Sequence, residues 1–529
     1  MSVKHFDFPR AILALVAVLA VASSALPASL TNASVKLDNG FGTGGKVVTN
    51  LFSDENTGND VAIQADGKII VVGKARQMGF DDFAVSRYLS NGQLDPDFAL
   101  DGTIFTDFSS NYDEANRVLL LPNGRIFVGG ETYDGASSDF AFARYRSNGI
   151  LDTTPSFPGK AVMDVGGNAD LMDLEIDPTD GSMIAAGTVE TGLGMADMVF
   201  VKLTASGAPD TDFGVDGILR IEIAEFSEAP ASISVLPDGR IIAVGVASDG
   251  ETYAGFIVQL LADGTFDTSF NATGSSPGIM YFPDHIFTSL ALNSNGTIVV
   301  GGAMISGLMS AAITFVKKFS ADGAEITSFG DGPPLSFGDT SVPVDMEIQA
   351  DGKILLTIAA LNESSPYKAV LVRLTKSGDL DEGFGDGGAK VLGLVLGLSA
   401  PLLIANAMAR FPNGSVVIVG SVFNVDEGSN DAFLFRLNGT DLVPLVKPVV
   451  SIGGSVPLRA VARYLEMSIP RGSKLSAKVA PASKAVCNVR AGKVRGLKRG
   501  KCRLTLKVVD GDLTLSQKQV ILRTRRNTG

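Results

Sequence analysis

Side chains able to do hydrolytic, redox or metal chemistry are sparse in this chain. Among 529 residues there are two histidines, His5 and His285, and two cysteines, Cys487 and Cys502. His5 falls in an N-terminal segment with the pattern of a secretory signal peptide, which leaves His285 in Tyr281-Phe282-Pro283-Asp284-His285-Ile286-Phe287. A lone histidine among aromatic residues is more often structural or solvated than a general base. No Gly-x-Ser-x-Gly elbow, His-Glu-x-x-His pair or phosphate loop occurs. The sequence therefore assigns no catalytic residue, no metal ligand and no cofactor.

Carboxylates are the exception. Asp54, Glu55, Asp113, Glu114, Glu131, Asp134, Asp249, Glu251, Asp426 and Glu427 fall in short segments that differ between copies of a repeat. Loops of variable content on a fixed scaffold are where recognition resides. An acidic recognition rim would take a cationic partner or divalent cations. The bland alternative is a set of solubilising loops. Grouped oxygens suit Ca2+, but none of these loops has a complete EF-hand spacing.

The opposite charge is concentrated at the other end of the chain. Residues 444 to 529 hold 19 Lys or Arg and three acids, a balance of +16, while the preceding 443 residues hold 25 bases and 54 acids, a balance of −29. So sharp a break marks a domain boundary. Arg495, Lys498, Arg499, Lys501 and Arg503 cluster near the two cysteines and form a candidate anion-binding surface. Its target is either an anionic envelope polymer or the acidic face of the rest of the chain; nucleic acid is disfavoured in a chain without Trp. Two nearby cysteines in a secreted chain most simply join as a disulfide, and a metal pair lacks further ligands.

The scaffold for these groups is a repeated hairpin. Asx-Gly pairs recur with their glycines at Gly67, Gly124, Gly181, Gly239, Gly296, Gly352 and Gly414, at steps of 57, 57, 58, 57, 56 and 62 residues. Such pairs predict tight two-residue hairpins with positive φ. A β-branched run follows each turn, usually ending in Gly, as in Ile69-Ile70-Val71-Val72-Gly73. Unbroken apolar character predicts burial on both faces. After it come a third strand such as Asp139-Phe140-Ala141-Phe142-Ala143-Arg144-Tyr145, a second glycine turn, a Leu-Asp-x-x-Phe signature and a fourth strand. Four antiparallel strands in each of seven repeats predict a seven-bladed β-propeller. The loops between second and third strands, and those leading to the next repeat, then emerge on one rim.

The last repeat stops at Arg436-Leu437-Asn438-Gly439, and its missing parts stand at the front of the chain as Leu37-Asp38-Asn39-Gly40-Phe41 and Lys46-Val47-Val48-Thr49. The N-terminal strand is expected to complete the last blade and close the ring. A basic residue near the end of the third strand (Arg87, Arg144, Lys202, Lys318, Arg373, Arg436, with Gln259 as the exception) would either line an anion site or pair with the Asp of its own Leu-Asp signature. Recurrence in nearly every repeat favours the second.

Pro-Asp-Gly-Arg-Ile at 237–241, the Asp-Phe-Ala-x-x-Arg-Tyr strand and Leu-Asp-x-x-Phe-Gly recur in fixed order and resemble the bacterial delta-60 repeat family over about residues 37–442. The fifth copy departs most, with Ile326 in place of the signature Asp. The resemblance implies an extracellular propeller module and supplies no catalytic residues. The segment around Cys487 and Cys502 is similar, more loosely, to small Ig-like β domains of secreted bacterial surface proteins.

The expected organisation is all-β: signal peptide 1–25, a short linker 26–36, a propeller over 37–443 closed by its N-terminal strand, a linker 444–456, and a small basic β-sandwich-like domain over 457–529. The uncharged stretch Val391–Ala409, broken by Gly393, Gly397, Pro401 and Asn406, is read as strands and a loop rather than a membrane span. The expected function is a secreted, non-catalytic binding or surface-interaction protein with an unknown extracellular or glycan partner. The alternative is a propeller hydrolase or lyase that gathers carboxylates and a divalent metal at the central axis, where a scaffold would carry only apolar or small side chains.

Overall fold

The computed structural model describes residues 35–49 and, with short breaks of which 394–401 is the longest, 55–438; beyond these it describes 450–451, 455–457, 474–479, 481–490, 493–497, 500–510 and 513–525. The expected signal peptide, Asp54, Asp426, Glu427, Lys498 and Arg499 lie outside the described residues. Two compact units are present, Met1–Asp441 and Leu442–Gly529.

The first unit is an all-β propeller, its repeats numbered here 1 to 7 by their turn glycines. The first strands are Asp60–Ile63, Tyr112–Leu120, Ala169–Ile176, Ser227–Val235, His285–Leu292, Thr340–Ile348 and Leu402–Arg410. Each contacts the next, and Leu402–Arg410 contacts Asp60–Ile63. The fourth strand of repeat 7 is Lys46–Thr49, paired antiparallel with Ala432–Phe435. The first and last parts of the propeller sequence thus share one sheet.

The hydrogen-bonding pattern differs from seven separate four-stranded blades. Five sheets stand apart, and repeats 1 and 2 share one eight-stranded sheet. The join is a single parallel pair, Asp81 opposite Tyr112. Among the described residues repeat 5 has three strands, and the position of its fourth shows one bridge, between Thr314 and Leu335.

The Asx-Gly turns also differ from the expected two-residue form. In repeat 1, Gln64 N–H donates to the Lys68 carbonyl at 2.8 Å, so three residues form the loop. Gly67 alone takes positive φ, at 85°. Asp66 stays on the ordinary side and accepts the Lys68 amide at 3.1 Å, as Asn123 accepts Arg125 N–H and Asn413 accepts Ser415 N–H, both at 3.0 Å. The Asx residue is there for its side-chain oxygen, the glycine for its φ.

A second glycine has a steric cause that register makes visible. Six of the seven first strands carry a β-bulge or equivalent break, and in repeat 1 the same one-residue shift falls just before Asp60–Ile63, between the Asn56–Ala75 bridge and the Asp60–Val72 pair. Opposite the break, within the second strand Ile126–Tyr133, a Cβ on Gly130 would lie 2.0 Å from the Glu114 carbonyl oxygen. Gly187, Gly245, Gly302 and Gly420 meet a first-strand carbonyl at 1.9–2.1 Å in the same way, and Gly73 meets that of Thr57, just before its first strand, at 2.1 Å. The second strands themselves are the core: Ile69, Ile70, Val72, Ile126, Phe127, Val128, Ile241 and Ile242 are fully buried. Burying each such side chain stabilises by ~1.5–3 kcal/mol.

The second unit contains a four-stranded sheet and a three-stranded sheet, with Cys487 and Cys502 joined by a disulfide at a Cα separation of 5.8 Å. The expected linker 444–456 is not wholly a linker. Val450–Ser451 pairs with Thr524–Arg525, and Ser455–Pro457 pairs with Lys493–Arg495, because these backbone groups find ladder partners within the unit. The uncharged stretch near residue 400 has strands Ala389–Leu392 and Leu402–Arg410 at its ends. No described helix is long and apolar enough to cross a membrane.

Candidate functional site

The bulge places one residue of each repeat on the axis of the ring. Asn59, Asn116, Met172, Ala231, Thr288, Val344 and Asn406 all line one cavity of about 190 Å³. Four of them also tie their strand to the next. Asn59 Nδ2 donates to the Ala115 carbonyl at 2.9 Å, Asn116 Nδ2 to Leu171 at 2.8 Å, Thr288 Oγ1 to Pro343 at 2.6 Å, and Asn406 Nδ2 to Gly58 at 2.9 Å.

The residues that follow the bulge make a second tier, which holds Asp60, Arg117, Asp173 and Asp345. Asp60 accepts the Val61 amide at 2.7 Å and, across the interface, the Val118 amide at 2.9 Å. Asp173 does the same with Leu174 at 3.0 Å and Ile233 at 2.8 Å, and Asp345 with Met346 and Met408, both at 2.7 Å. Arg117 donates to Asp173 at 3.0 Å. One step further, Glu347 pairs with Arg410 at 2.7 Å.

The axis is therefore not lined by apolar and small residues alone, as a plain scaffold would have it. Burial, more than any other cause, pushes the carboxyls up: Asp60 to about 6, Asp345 to about 7 and Glu175 to about 8, the last also by the charge of Asp173. Arg117 is held protonated by Asp173 and Asp60 against the effect of its burial. Sequence reasoning missed this tier because Asp60, Asp173 and Asp345 recur in only some repeats. Their common signal is position, seven residues before each turn glycine for Asp60, Asp345 and Arg117 and eight for Asp173.

The candidate rim residues divide by environment. Asp113, Glu114 and Glu131 are buried rather than solvated. Glu114 pairs with Lys74 at 3.1 Å and accepts from Asn59 Nδ2 at 2.8 Å. Asp113 accepts the Phe108 amide at 2.7 Å and lies beside Asp82 and Asp107, which the sequence reading did not single out. Glu55 accepts from Asn430 Nδ2 at 2.9 Å, at the seam between the two ends of the propeller sequence. Asp134 and Asp249 are exposed turn residues: Asp134 accepts the Ala136 and Ser137 amides at 2.7 and 3.0 Å, and Asp249 those of Glu251 and Thr252 at 2.9 and 2.6 Å. Those amides hold both carboxyls below the ordinary range. Glu251 is exposed.

The basic residue of the third strand pairs within its repeat. Arg87 reaches Asp95 at 2.8 Å, Arg144 reaches Asp152 at 3.0 Å, Lys202 reaches Asp210 at 3.5 Å, Arg373 reaches Asp381 at 2.6 Å, and Arg436 reaches Asp38 at 3.4 Å. Gln259 donates to Asp267 at 2.7 Å. The same cation covers the signature phenylalanine, as Arg87 does Phe98 at 4.6 Å and Arg373 does Phe384 at 4.5 Å. In repeat 5, where Ile326 replaces the Asp, Lys318 lies 5.5 Å from the ring of Phe329, and among the described residues no carboxylate pairs with it. Arg144 also donates to the Ser206 carbonyl of the following repeat at 2.5 Å. These cations hold the repeats rather than form an open anion ring.

His285 is a packing residue: its Nδ1 lies 2.7 Å from the Pro283 carbonyl and its ring is 4.9 Å from that of Phe315. In the second unit Arg495 is exposed on strand Lys493–Gly496 beside the disulfide-bonded strand, while Lys501 and Arg503 flank Cys502 on Gly500–Asp510.

No curated protein matches the chain. Among solved structures, it is similar to the polysaccharide lyase Uly1, at 10% identity over 73% of this chain and 91% of that one with a TM-score of 0.44. A protein of unknown function from Dyadobacter fermentans gives 13% over 74% and 98%, with a TM-score of 0.39. The xyloglucanase of family GH74 from Xanthomonas campestris gives 12% over 71% and 54%, with a TM-score of 0.37. The chain is a β-propeller in which residues 64–98, 121–154, 236–270 and 349–384 match the family described as domain of unknown function (DUF5122) beta-propeller.

Proposed function

We propose that this protein is a secreted, non-catalytic binding module of the delta-60 repeat type, with seven sectors around its axis and a small Ig-like, sandwich-like basic domain. The observation that carries the reading is the use made of the axial acids. Asp60, Asp173 and Asp345 each accept backbone amides from two consecutive first strands, so the groups an enzyme would deploy are joining the ring. Seven sectors are supported by seven first strands in cyclic contact and by the single residue pair that fuses two repeats into one sheet. Secretion is supported by Lys4 and Arg10 before the apolar run Ala11–Val21 and by the disulfide.

Recognition is assigned to the rim that carries Asp134, Asp249 and Glu251, and envelope attachment to Arg495, Lys501 and Arg503. A glycan and cell-envelope binding screen with the full chain tests this. Asp134→Asn with Asp249→Asn and Glu251→Gln should remove partner binding, and Arg495→Glu with Lys501→Glu and Arg503→Glu should remove retention by anionic wall material at low salt. Binding that ignores both sets sinks the reading.

The hydrolase or lyase alternative is favoured by one observation, the raised carboxyls of Asp345 and Glu175 at the axis. Depolymerisation of a polysaccharide panel that is lost in Glu175→Gln would establish it in place of the binding role.

A further inference from the structure

At the junction of repeats 1 and 2 a buried carboxylate lacks any hydrogen-bond donor. Asp82, at the start of strand Phe80–Tyr88, is 8% exposed, and no described residue donates to it. It faces Asp113, which is fully buried; Oδ2 of Asp113 accepts the Phe108 amide and the Thr132 hydroxyl also favours its ionised form, while among the described residues its Oδ1 has no partner within hydrogen-bond geometry. Asp107, exposed just past strand Thr103–Thr106, completes the group, and one oxygen from each of the three lies within 4.8 Å of the others.

The fold brings them together. Phe83 pairs with Thr106, which sets Asp82 beside Asp107, and the pair Asp81–Tyr112 draws the start of the next repeat, with Asp113, against them. The cations at hand are committed elsewhere. Lys74 binds Glu114 at 3.1 Å and Asp81 at 3.6 Å, and Lys160 donates to the Asp107 backbone carbonyl at 2.5 Å while favouring ionised Asp113 from a distance. Burial, then the charges of Asp107, Asp113 and Asp81, pushes Asp82 up to about 6. Three carboxylates so placed need a proton or a cation.

We propose that Asp82, Asp107 and Asp113 bind Ca2+. One oxygen from each lies within 4.8 Å of the others, close enough to share one ion, and Ca2+ accepts carboxylate oxygens in flexible geometry at about 2.4 Å, whereas Mg2+ demands a near-ideal octahedron. The site joins two repeats, so occupancy ties them. Equivalent positions carry Asp139 and Asp164 at the next junction and Asp197, Glu222 and Glu228 at the one after. Among the described residues, however, the first trio alone brings three ligand oxygens within mutual reach. The proposal depends on no glycan or envelope partner.

Calorimetric titration and thermal unfolding of the full chain, freed of metal with EDTA and then given CaCl2 or MgCl2, test it. Saturable binding of one Ca2+ is expected, with a raised unfolding midpoint and at least tenfold weaker Mg2+ binding. Asp82→Asn with Asp113→Asn should raise the midpoint in EDTA, because repulsion is relieved, and abolish the Ca2+ response. Should that pair fail to fold, Asp107→Asn, at an exposed position, is expected to weaken Ca2+ at least tenfold. An unresponsive wild type, a response of equal size in these variants, or one lost only in Glu228→Gln overturns the assignment.

Discussion

Asn406 donates its side-chain amide to the carbonyl of Gly58 at 2.9 Å, a bond between residues 348 apart in the sequence. It joins the first strands of repeats 7 and 1 at the axis, while Lys46–Thr49 joins the same repeats at the outer edge by pairing with Ala432–Phe435. Asn406→Leu leaves the buried Gly58 carbonyl without this donor and should cost about 1–3 kcal/mol. Removing residues 37–49 should cost far more, since it strips the fourth strand and exposes a sheet edge. Urea unfolding followed by circular dichroism measures both; equal stability in the truncated chain would refute closure.

Asp152 holds three guanidinium groups, those of Arg125, Arg144 and Arg146, at 2.6, 3.0 and 3.3 Å. Asp152→Ala leaves a nearly buried Arg144 without its carboxylate and should destabilise by about 3–5 kcal/mol. Burial raises this carboxyl, but the arginines outweigh it and hold it below the ordinary range. Its contribution is therefore present above the unfolded carboxylate range and lost as pH falls through the depressed value. The gap between wild type and Asp152→Ala in unfolding midpoint should narrow below about pH 4.

Glu175 and Asp345 act in the opposite sense. Their carboxyls, raised to about 8 and about 7, bind protons in the folded chain that the unfolded chain has released. The stability they contribute is fully present below the unfolded carboxylate range, near pH 4, and is lost as pH rises through the folded values. The unfolding midpoint should fall between pH 5 and 8.5, and Glu175→Gln should flatten that fall. A profile unchanged by the substitution would show that Glu175 is ionised throughout.

Gly130 cannot accept a side chain without moving backbone, because its Cβ would lie 2.0 Å from the Glu114 carbonyl oxygen. Gly130→Val should cost at least about 2 kcal/mol. Gly124→Ala, in the open turn of the same repeat with φ of 80°, should cost less, about 1 kcal/mol, since only φ is at stake. Near-equal losses in chemical denaturation would remove the steric account.

Much of this was legible because local rules act in every repeat. Asx before Gly marks each turn, β-branched runs mark the buried second strands, and Arg144 with Asp152 shows how the third strand and its signature answer each other eight residues apart. The split of the last repeat between the two ends of the propeller sequence was legible too, since Lys46–Thr49 has the pattern that the segment after Leu437 lacks. The axial tier was harder to read. Asp60, Arg117, Asp173 and Asp345 occupy one structural level, but the position seven before the turn glycine is Ser232, Ser289 and Ala407 in repeats 4, 5 and 7, so no repeat consensus contains them. The rim acids were legible as a composition and not as an environment: Asp113 and Asp134 look alike in the chain, yet one is sealed against Asp82 and the other caps a turn in solvent.

By itself the sequence determined an all-β repeat array, the places of its turns and strands, the pairing of cation with signature aspartate, and the cysteine bridge, because each follows from interactions a few residues long or from a period. Only the tertiary structure decided which carboxylates meet across a repeat boundary, which face the axis, and that repeats 1 and 2 share a sheet. Those outcomes depend on a bulge of one residue and on register between strands of successive repeats, whose cross-links join residues 55–63 apart, where a shift of one position exchanges the two faces of a strand.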